Sequence, residues 1–94
     1  MSFITVSLWT ATEITDEIIT RATDKFIPMI MSLGASNVKM VRTGDLSMCV
    51  VTQYPDATAA GLAQAKIAEI RDQVASEFPM TLKNVHGGEV IGSA

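Results

Sequence analysis

The sequence of 94 residues contains little cysteine, few aromatic residues and little charge. Its single cysteine, Cys49, excludes an intrachain disulfide and any metal site built from several cysteines. We therefore expect a reducing location, most simply the cytoplasm, and no metal. Aromatic residues make up only 5% of the chain, so an aliphatic core is expected.

Charge is also scarce and scattered. Charged residues are 18% of the chain, the net charge is −3, and no cluster of Lys and Arg is present. This composition argues against a nucleic-acid partner. The longest apolar stretch, residues 26–33, is less than half of the roughly 20 residues that a membrane span requires. No membrane span is predicted, and the alternating N-terminal residues do not have the pattern of a secretory signal.

The apolar residues follow strand and helix periods in a regular order. Alternation predicts strands at residues 3–9, 38–43, 46–54 and 80–85. Spacings of three and four predict a first helix from Thr12 or Thr15 to about Leu33, and a second from the N-cap Asp56 to Pro79. Pro28 predicts a bend in the first helix. Residues 86–94 form a glycine-punctuated tail that would add a short strand or lie against a partner.

This βαββαβ order predicts one ferredoxin-like α+β domain over residues 1–94, with a four-stranded antiparallel sheet and two helices on one face. Two registers are possible for the hairpin formed by the second and third strands. A two-residue loop would place Met40 on the side of Cys49, and a three-residue loop would align Met40 with Met48. We prefer the second because it gathers the apolar residues of the hairpin on one face. The uncovered sheet face would carry Phe3, Val41, Cys49, Val51 and Val85, and an apolar face of this kind favours a partner.

Three short motifs carry a resemblance to a known superfamily. They are Leu33-Gly34-Ala35 before the second strand, Arg42-Thr43-Gly44 at the turn, and Tyr54-Pro55-Asp56 before the second helix. With the order of elements, they make the chain similar to the dimeric α+β barrel proteins related to antibiotic biosynthesis monooxygenases. The resemblance implies a homodimer with face-to-face sheets and a pocket in each subunit between sheet and helices. Members include cofactor-free oxygenases, haem-degrading enzymes and isomerases, but none of their catalytic motifs matches this sequence residue by residue.

A small-molecule site is predicted on the helix side of the sheet, where a few polar groups would converge in an apolar pocket. Arg42 could bind a carboxylate, and His86, the only histidine, is a candidate general base. Internal methionines suit an adaptable apolar cavity, although they also suit simple core filling. One histidine and few aromatic residues argue against haem, and no cofactor is expected. The predicted lining residues are Val6, Leu8, Phe26, Met40, Arg42, Met48, Tyr54, Asn84 and His86.

Three functions fit these observations. The first is a homodimer that binds a hydrophobic, lipid-like or fatty-acid-like molecule, with Arg42, Asn84 or His86 holding its polar end. The second is a cofactor-independent monooxygenase or isomerase on the same scaffold. The third is a structural or interaction module whose pocket is filled by its own side chains.

Overall fold

The computed structural model describes all 94 residues and contains the six predicted elements in the predicted order. These are β1 (Phe3–Ala11), α1 (Asp16–Met31), β2 (Asn37–Gly44), β3 (Ser47–Tyr54), α2 (Ala57–Glu77) and β4 (Met80–Glu89). The strands form one antiparallel sheet in the order β2-β3-β1-β4. Both helices cover one face of this sheet, which is the ferredoxin-like arrangement. The predicted fold class is therefore confirmed.

Both helices begin at side-chain caps. The hydroxyl of Thr15 accepts a hydrogen bond from the backbone N–H of Ile18 at 3.2 Å, so Thr15 rather than Thr12 is the N-cap of α1. The carboxylate of Asp56 accepts from the N–H of Ala59 at 2.8 Å and caps α2 as predicted. Each cap satisfies a backbone donor that the first helical turn leaves free.

The ends of the helices are set by glycine and proline. Helix α1 continues through Pro28 to Met31, two residues short of the predicted end, and Gly34 follows with a φ of 98°. Glycine adopts this left-handed conformation without the steric cost that a Cβ atom would add. Helix α2 ends at Glu77, two residues before Pro79.

The β2–β3 hairpin differs from the predicted register by two residues. Met40 pairs with Val50 and Arg42 pairs with Met48, and the ladder is irregular between Arg42 and Gly44. A shift of two keeps every side chain on its predicted face, because strand side chains alternate with a period of two. Met40 and Met48 therefore lie on the same face, as expected, although they are not directly opposite.

The face of β1 that meets the helices is the opposite of the predicted one. Its residues under the helices are Thr5, Ser7 and Trp9, all buried. The opposite sheet face, here called the open face, carries the aliphatic residues of β1 and their cross-strand neighbours. The open face consists of Ile4, Val6, Leu8, Asn37, Lys39, Val41, Cys49, Val51, Gln53, Asn84 and His86. The predicted orientation of Val6 and Leu8 towards the helices was wrong.

A bulge in β4 changes the face of its second half. Leu8 pairs with Asn84 whereas Trp9 pairs with Leu82, so Lys83 is an extra residue in the ladder. One inserted residue moves every later side chain to the other face. Asn84 and His86, expected on the helix side, therefore lie on the open face. Strand β4 also runs four residues further than predicted, to Glu89.

The same registers correct the predicted composition of the open face. Val41, Cys49 and Val51 lie there as expected. Phe3 of β1 pairs with the buried Tyr54 of β3, and Val85 of β4 pairs with the buried Ser7 of β1. Phe3 and Val85 therefore belong to the helix side.

The core is more aromatic than the composition indicates. Four of the five aromatic residues, Trp9, Phe26, Tyr54 and Phe78, belong to its cluster of 13 buried residues. The rings of Phe26 and Phe78 meet edge to face with centroids 5.9 Å apart, which joins α1 to the end of α2. No helix has the length and apolarity needed to cross a membrane.

Candidate functional site

A partly open cavity, here called the inner cavity, lies between the helix-covered face of the sheet and the two helices. Its volume is about 50 Å³, measured as the space open to the centres of water-sized molecules. On this measure, one water needs about 10–15 Å³, so a few waters would fill the cavity. Eleven of its 15 lining residues are hydrophobic. The lining residues of this inner cavity are Thr5, Ser7, Trp9, Ala22, Phe26, Ile30, Met40, Met48, Val50, Thr52, Ile67, Ile70, Arg71, Val74 and Met80.

Hydroxyl groups form the floor of the inner cavity. Thr5 and Thr52 are directly opposite each other on β1 and β3, and both are buried. Neither hydroxyl makes a hydrogen bond within the chain. Ser7 differs, because its Oγ accepts a hydrogen bond from Nε1 of Trp9 at 2.9 Å. The floor therefore offers two free hydroxyls beside one internally paired hydroxyl.

Arg71 is the one charged residue that lines the inner cavity. It is half-buried on α2, on the helix face that carries Ile67, Ile70 and Val74. The two ion pairs of the chain join Lys25 to Glu77 and Lys66 to Glu69, so no carboxylate neutralises the guanidinium of Arg71. A partly desolvated cation without an anionic partner is energetically costly.

The electrostatics of Arg71 are linked to those of Tyr54. Burial lowers the pKa of the Arg71 guanidinium from its ordinary value, and the nearby Tyr54 opposes this shift. Burial raises the pKa of the Tyr54 phenol, and the charge of Arg71 opposes that shift in turn. Both shifts reflect the low polarity of this end of the core.

A second depression, here called the outer groove, opens beside the inner cavity. Its volume on the same measure is about 110 Å³, and seven of its nine lining residues are hydrophobic. Four residues line both spaces: Ala22, Met40, Met48 and Met80. The three methionines, here called the methionine partition, therefore separate the two. The outer groove is lined by Ile14, Ile19, Ala22, Thr23, Met40, Val41, Arg42, Met48 and Met80.

Four of the nine predicted lining residues reach these spaces. Phe26, Met40 and Met48 line the inner cavity. Arg42 lines only the outer groove, where its guanidinium donates hydrogen bonds to the backbone carbonyls of Gly44 at 3.2 Å and Asp45 at 3.1 Å. Arg42 thus stabilises the hairpin turn.

The other five predicted residues do not line either space. Tyr54 is fully buried on the helix side. The remaining four lie on the open face: Val6, Leu8, Asn84 and His86. The prediction that Arg42, Asn84 and His86 converge around one pocket is corrected by the inverted β1 and by the bulge at Lys83.

Arg71 and the hydroxyl floor were not predicted from the sequence, and Trp9, which could have been a dimer contact or a pocket wall, lines the inner cavity. A signal for Arg71 was present, because it stands four residues after Ile67 and three before Val74, within the apolar stripe of α2. A cation at this spacing points along the buried face of its helix. No comparable signal identifies Thr5 and Thr52, since hydroxyl residues are common on the exposed faces of strands.

The inner cavity and the outer groove have few groups for acid–base chemistry. No His, Asp or Glu lines the inner cavity or the outer groove. No three His, Cys, Asp or Glu side chains lie together in a way that could hold a metal ion. The side chains that could act on a bound molecule are the Arg71 guanidinium and the hydroxyls of the floor.

The fold and its cavity define a ferredoxin-like protein with a pocket between sheet and helices. Two solved structures share this fold. A dimeric ferredoxin-like protein from an uncultured marine organism is 12% identical, with 99% of this chain and 98% of that chain covered and a TM-score of 0.67. A monooxygenase from the gene ActVA-Orf6 of Streptomyces coelicolor, in complex with the ligand nanaomycin D, is 15% identical, with 99% and 90% covered and a TM-score of 0.69.

These two structures confirm the predicted ferredoxin-like fold. No protein-family model matches the sequence, and no curated protein matches it.

Proposed function

We propose that this protein binds a hydrophobic small molecule that carries one anionic oxygen group, such as a fatty-acid-like carboxylic acid, between the sheet and the helices. The observation that carries this proposal is the half-buried, unpaired Arg71 in the wall of a mostly apolar cavity. A planar guanidinium matches a carboxylate with two parallel hydrogen bonds. The ligand would supply the anion that the chain itself does not provide.

The rest of the cavity favours an apolar ligand body. Ile30, Ile67 and Val74 contribute aliphatic walls, and burial of apolar surface is worth about 25 cal/mol per Å². Thr5 and Thr52 provide free hydroxyls for a second polar contact. An apolar pocket with a few placed polar groups is the usual form of a small-molecule site.

The proposal includes a homodimer formed through the open face. Val6, Leu8 and Val51 are neighbours across β1 and β3 on this face, and no element of the chain covers them. Val41, next to them on β2, is 42% exposed. A contiguous apolar patch of this kind favours association. The marine protein of the same fold is dimeric, which supports the same assembly here.

Ligand binding is tested by native mass spectrometry and by one charge substitution. Freshly purified protein should carry additional ligand mass that is lost after denaturation. Arg71→Gln should weaken the binding of decanoate by about tenfold or more, because the charge-assisted hydrogen bonds are lost. Lys66→Gln, on the exposed side of the same helix, is the matched control and should have no effect. Equal affinities for Arg71→Gln and Lys66→Gln would exclude the site.

A second candidate is cofactor-independent oxygenation on the same scaffold. It is favoured by the shared fold of the Streptomyces monooxygenase, which was solved with a ligand. Here Arg71 would stabilise the oxyanion of a phenolic substrate and so favour its deprotonation. Oxygen consumption with a naphthol probe tests this reading. A rate that depends on Arg71 supports it, and a rate no higher than that of the probe alone excludes it for that substrate.

A further inference from the structure

The inner cavity and the outer groove are two compartments on either side of the methionine partition. The partition consists of Met40 and Met48 from the hairpin and Met80 from the start of β4. Met80 is buried, whereas Met40 and Met48 are half-buried. Methionine is unbranched and flexible, so these side chains can change rotamer with little disturbance of the backbone. The partition can therefore open without movement of a helix or strand.

The free hydroxyls of the inner cavity lie at the end away from the outer groove. The hydroxyls of Thr5 and Thr52 mark one end of the inner cavity, and Arg71 interacts electrostatically with Tyr54, two residues after Thr52. Trp9 and Met48, a second cross-strand pair, mark the other end. Four residues separate Thr5 from Trp9, which is about 13 Å along a strand. Beyond the partition, the outer groove is lined by the apolar residues Ile14, Ile19, Ala22 and Val41 and by Thr23 and Arg42, whose guanidinium is hydrogen-bonded to the hairpin turn.

The inner cavity alone is too small for a long chain. Its volume of about 50 Å³ corresponds to a few waters, whereas the outer groove adds about 110 Å³ on the same measure. A ligand whose charged group lies against Arg71 and whose body continues away from it must reach the methionine partition. An unbranched chain requires less displacement of the three methionine side chains than a broad ring system does.

We propose that the ligand is an extended amphiphile that spans both compartments, and that the outer groove is the subsite for its tail. This inference rests on the proposed function. The carboxylate lies against Arg71 and Thr52, the chain passes between the displaced methionines, and the distal methylenes lie against Ile14 and Ile19. Short acids occupy the inner cavity only, so the outer groove sets the preferred chain length.

The test uses the wild-type protein with hexanoate, decanoate and tetradecanoate as probes. Trp9 is the only tryptophan and lines the inner cavity, so its fluorescence reports occupancy directly. Affinity should rise by about tenfold or more from hexanoate to tetradecanoate, because each added methylene in the groove is removed from water.

One variant separates the two compartments. Ile19→Glu places a carboxylate in the wall of the outer groove, at a residue that is 37% exposed and therefore tolerant of charge. This substitution should weaken the binding of tetradecanoate by about tenfold or more and leave the affinity for hexanoate unchanged. Leu62→Glu, at an 81% exposed leucine on α2 outside both compartments, is the matched control and should change neither affinity.

The outcomes distinguish this inference from the proposed function. If wild-type protein binds none of the three acids, both fail. If the acids bind through Arg71 with equal affinity, or if Ile19→Glu weakens hexanoate and tetradecanoate to the same extent, the proposed function stands and the tail subsite is overturned. A chain-length preference that Ile19→Glu abolishes and Leu62→Glu preserves supports the inference.

Discussion

On the helix-covered face of the sheet, β1 presents Thr5 and Ser7, whereas on the open face it presents Ile4, Val6 and Leu8. In an isolated monomer this distribution would place hydroxyls inside and aliphatic side chains towards solvent. On β1, the covered face is therefore more polar than a usual core, and the open face is more apolar than a usual surface. The covered face is the wall of a cavity with free hydroxyls in which a ligand is proposed to bind, and the open face is the surface on which a second copy is proposed to pack.

The largest expected effect is on the open face. Val6→Glu would place two carboxylates in a symmetric apolar interface, where they would be buried without partners. The dissociation constant of the dimer should rise by about 100-fold or more. Light scattering during gel filtration over a range of concentrations measures this change.

The control for the dimer is Leu62→Glu, which adds the same charge on α2 away from the open face. Circular dichroism should show that Val6→Glu retains its fold, because the glutamate would be solvated in a monomer. A dimer that survives Val6→Glu with unchanged affinity would place the interface elsewhere.

A smaller effect is expected on the covered face, from Ser7→Ala. The indole N–H of Trp9 would lose its acceptor in a buried setting. The free energy of unfolding should fall by about 1–2 kcal/mol, the cost of an unsatisfied buried donor. Urea denaturation of the variant measures it. Ser76→Ala, which removes an exposed hydroxyl of α2, should cost much less, and equal losses would mean that the indole bond contributes little.

The smallest expected effect is the response of Tyr54 to alkaline pH. Burial raises the pKa of this phenol above its ordinary value of 10.0, although the charge of Arg71 opposes the shift. As the pH rises above 10.0, the unfolded chain releases the phenolic proton before the folded chain does, so stability falls until the folded pKa is passed. Tyr54→Phe should abolish this part of the fall.

Tyr54 is the only tyrosine, so its phenolate absorbance measures the pKa directly. Arg71→Gln removes the charge that opposes the shift and should raise the Tyr54 pKa further. A phenol that titrates at its ordinary value in the folded protein would contradict the burial of this end of the core.

Most of the fold follows from local chemistry in the sequence. Asp56 and Gly34 lie at helix ends because a carboxylate can cap an N-terminus and glycine can adopt a positive φ, and both roles are readable from residue type and position. The alternation of residues 3–9 correctly predicts a strand. It does not tell which of its two faces meets the helices, because a period of two fits either orientation.

The site was less predictable because it depends on contacts between distant elements. The more apolar face of β1 was expected to be the covered one, but Trp9 and its hydrogen bond to Ser7 lie under the helices instead. Asn84 and His86 were placed by simple alternation, which fails after the extra residue Lys83. The predicted faces of the hairpin residues are correct despite the wrong register, because a shift of two residues keeps each side chain on the same face.

The bulge at Lys83 also bears on how such a protein could diverge. It lies near the middle of β4, which is an edge strand, and it determines which face each later residue of the strand occupies. Deletion of Lys83 would remove the bulge but leave Leu82 opposite Trp9 and Asn84 opposite Leu8, so Asn84 and His86 would stay on the open face. A one-residue shift in the pairing after Leu82, with Lys83 opposite Leu8, would instead move Asn84 and His86 to the helix side. The face that carries the only histidine of the chain is thus set by how β4 pairs with β1 and not by residue type.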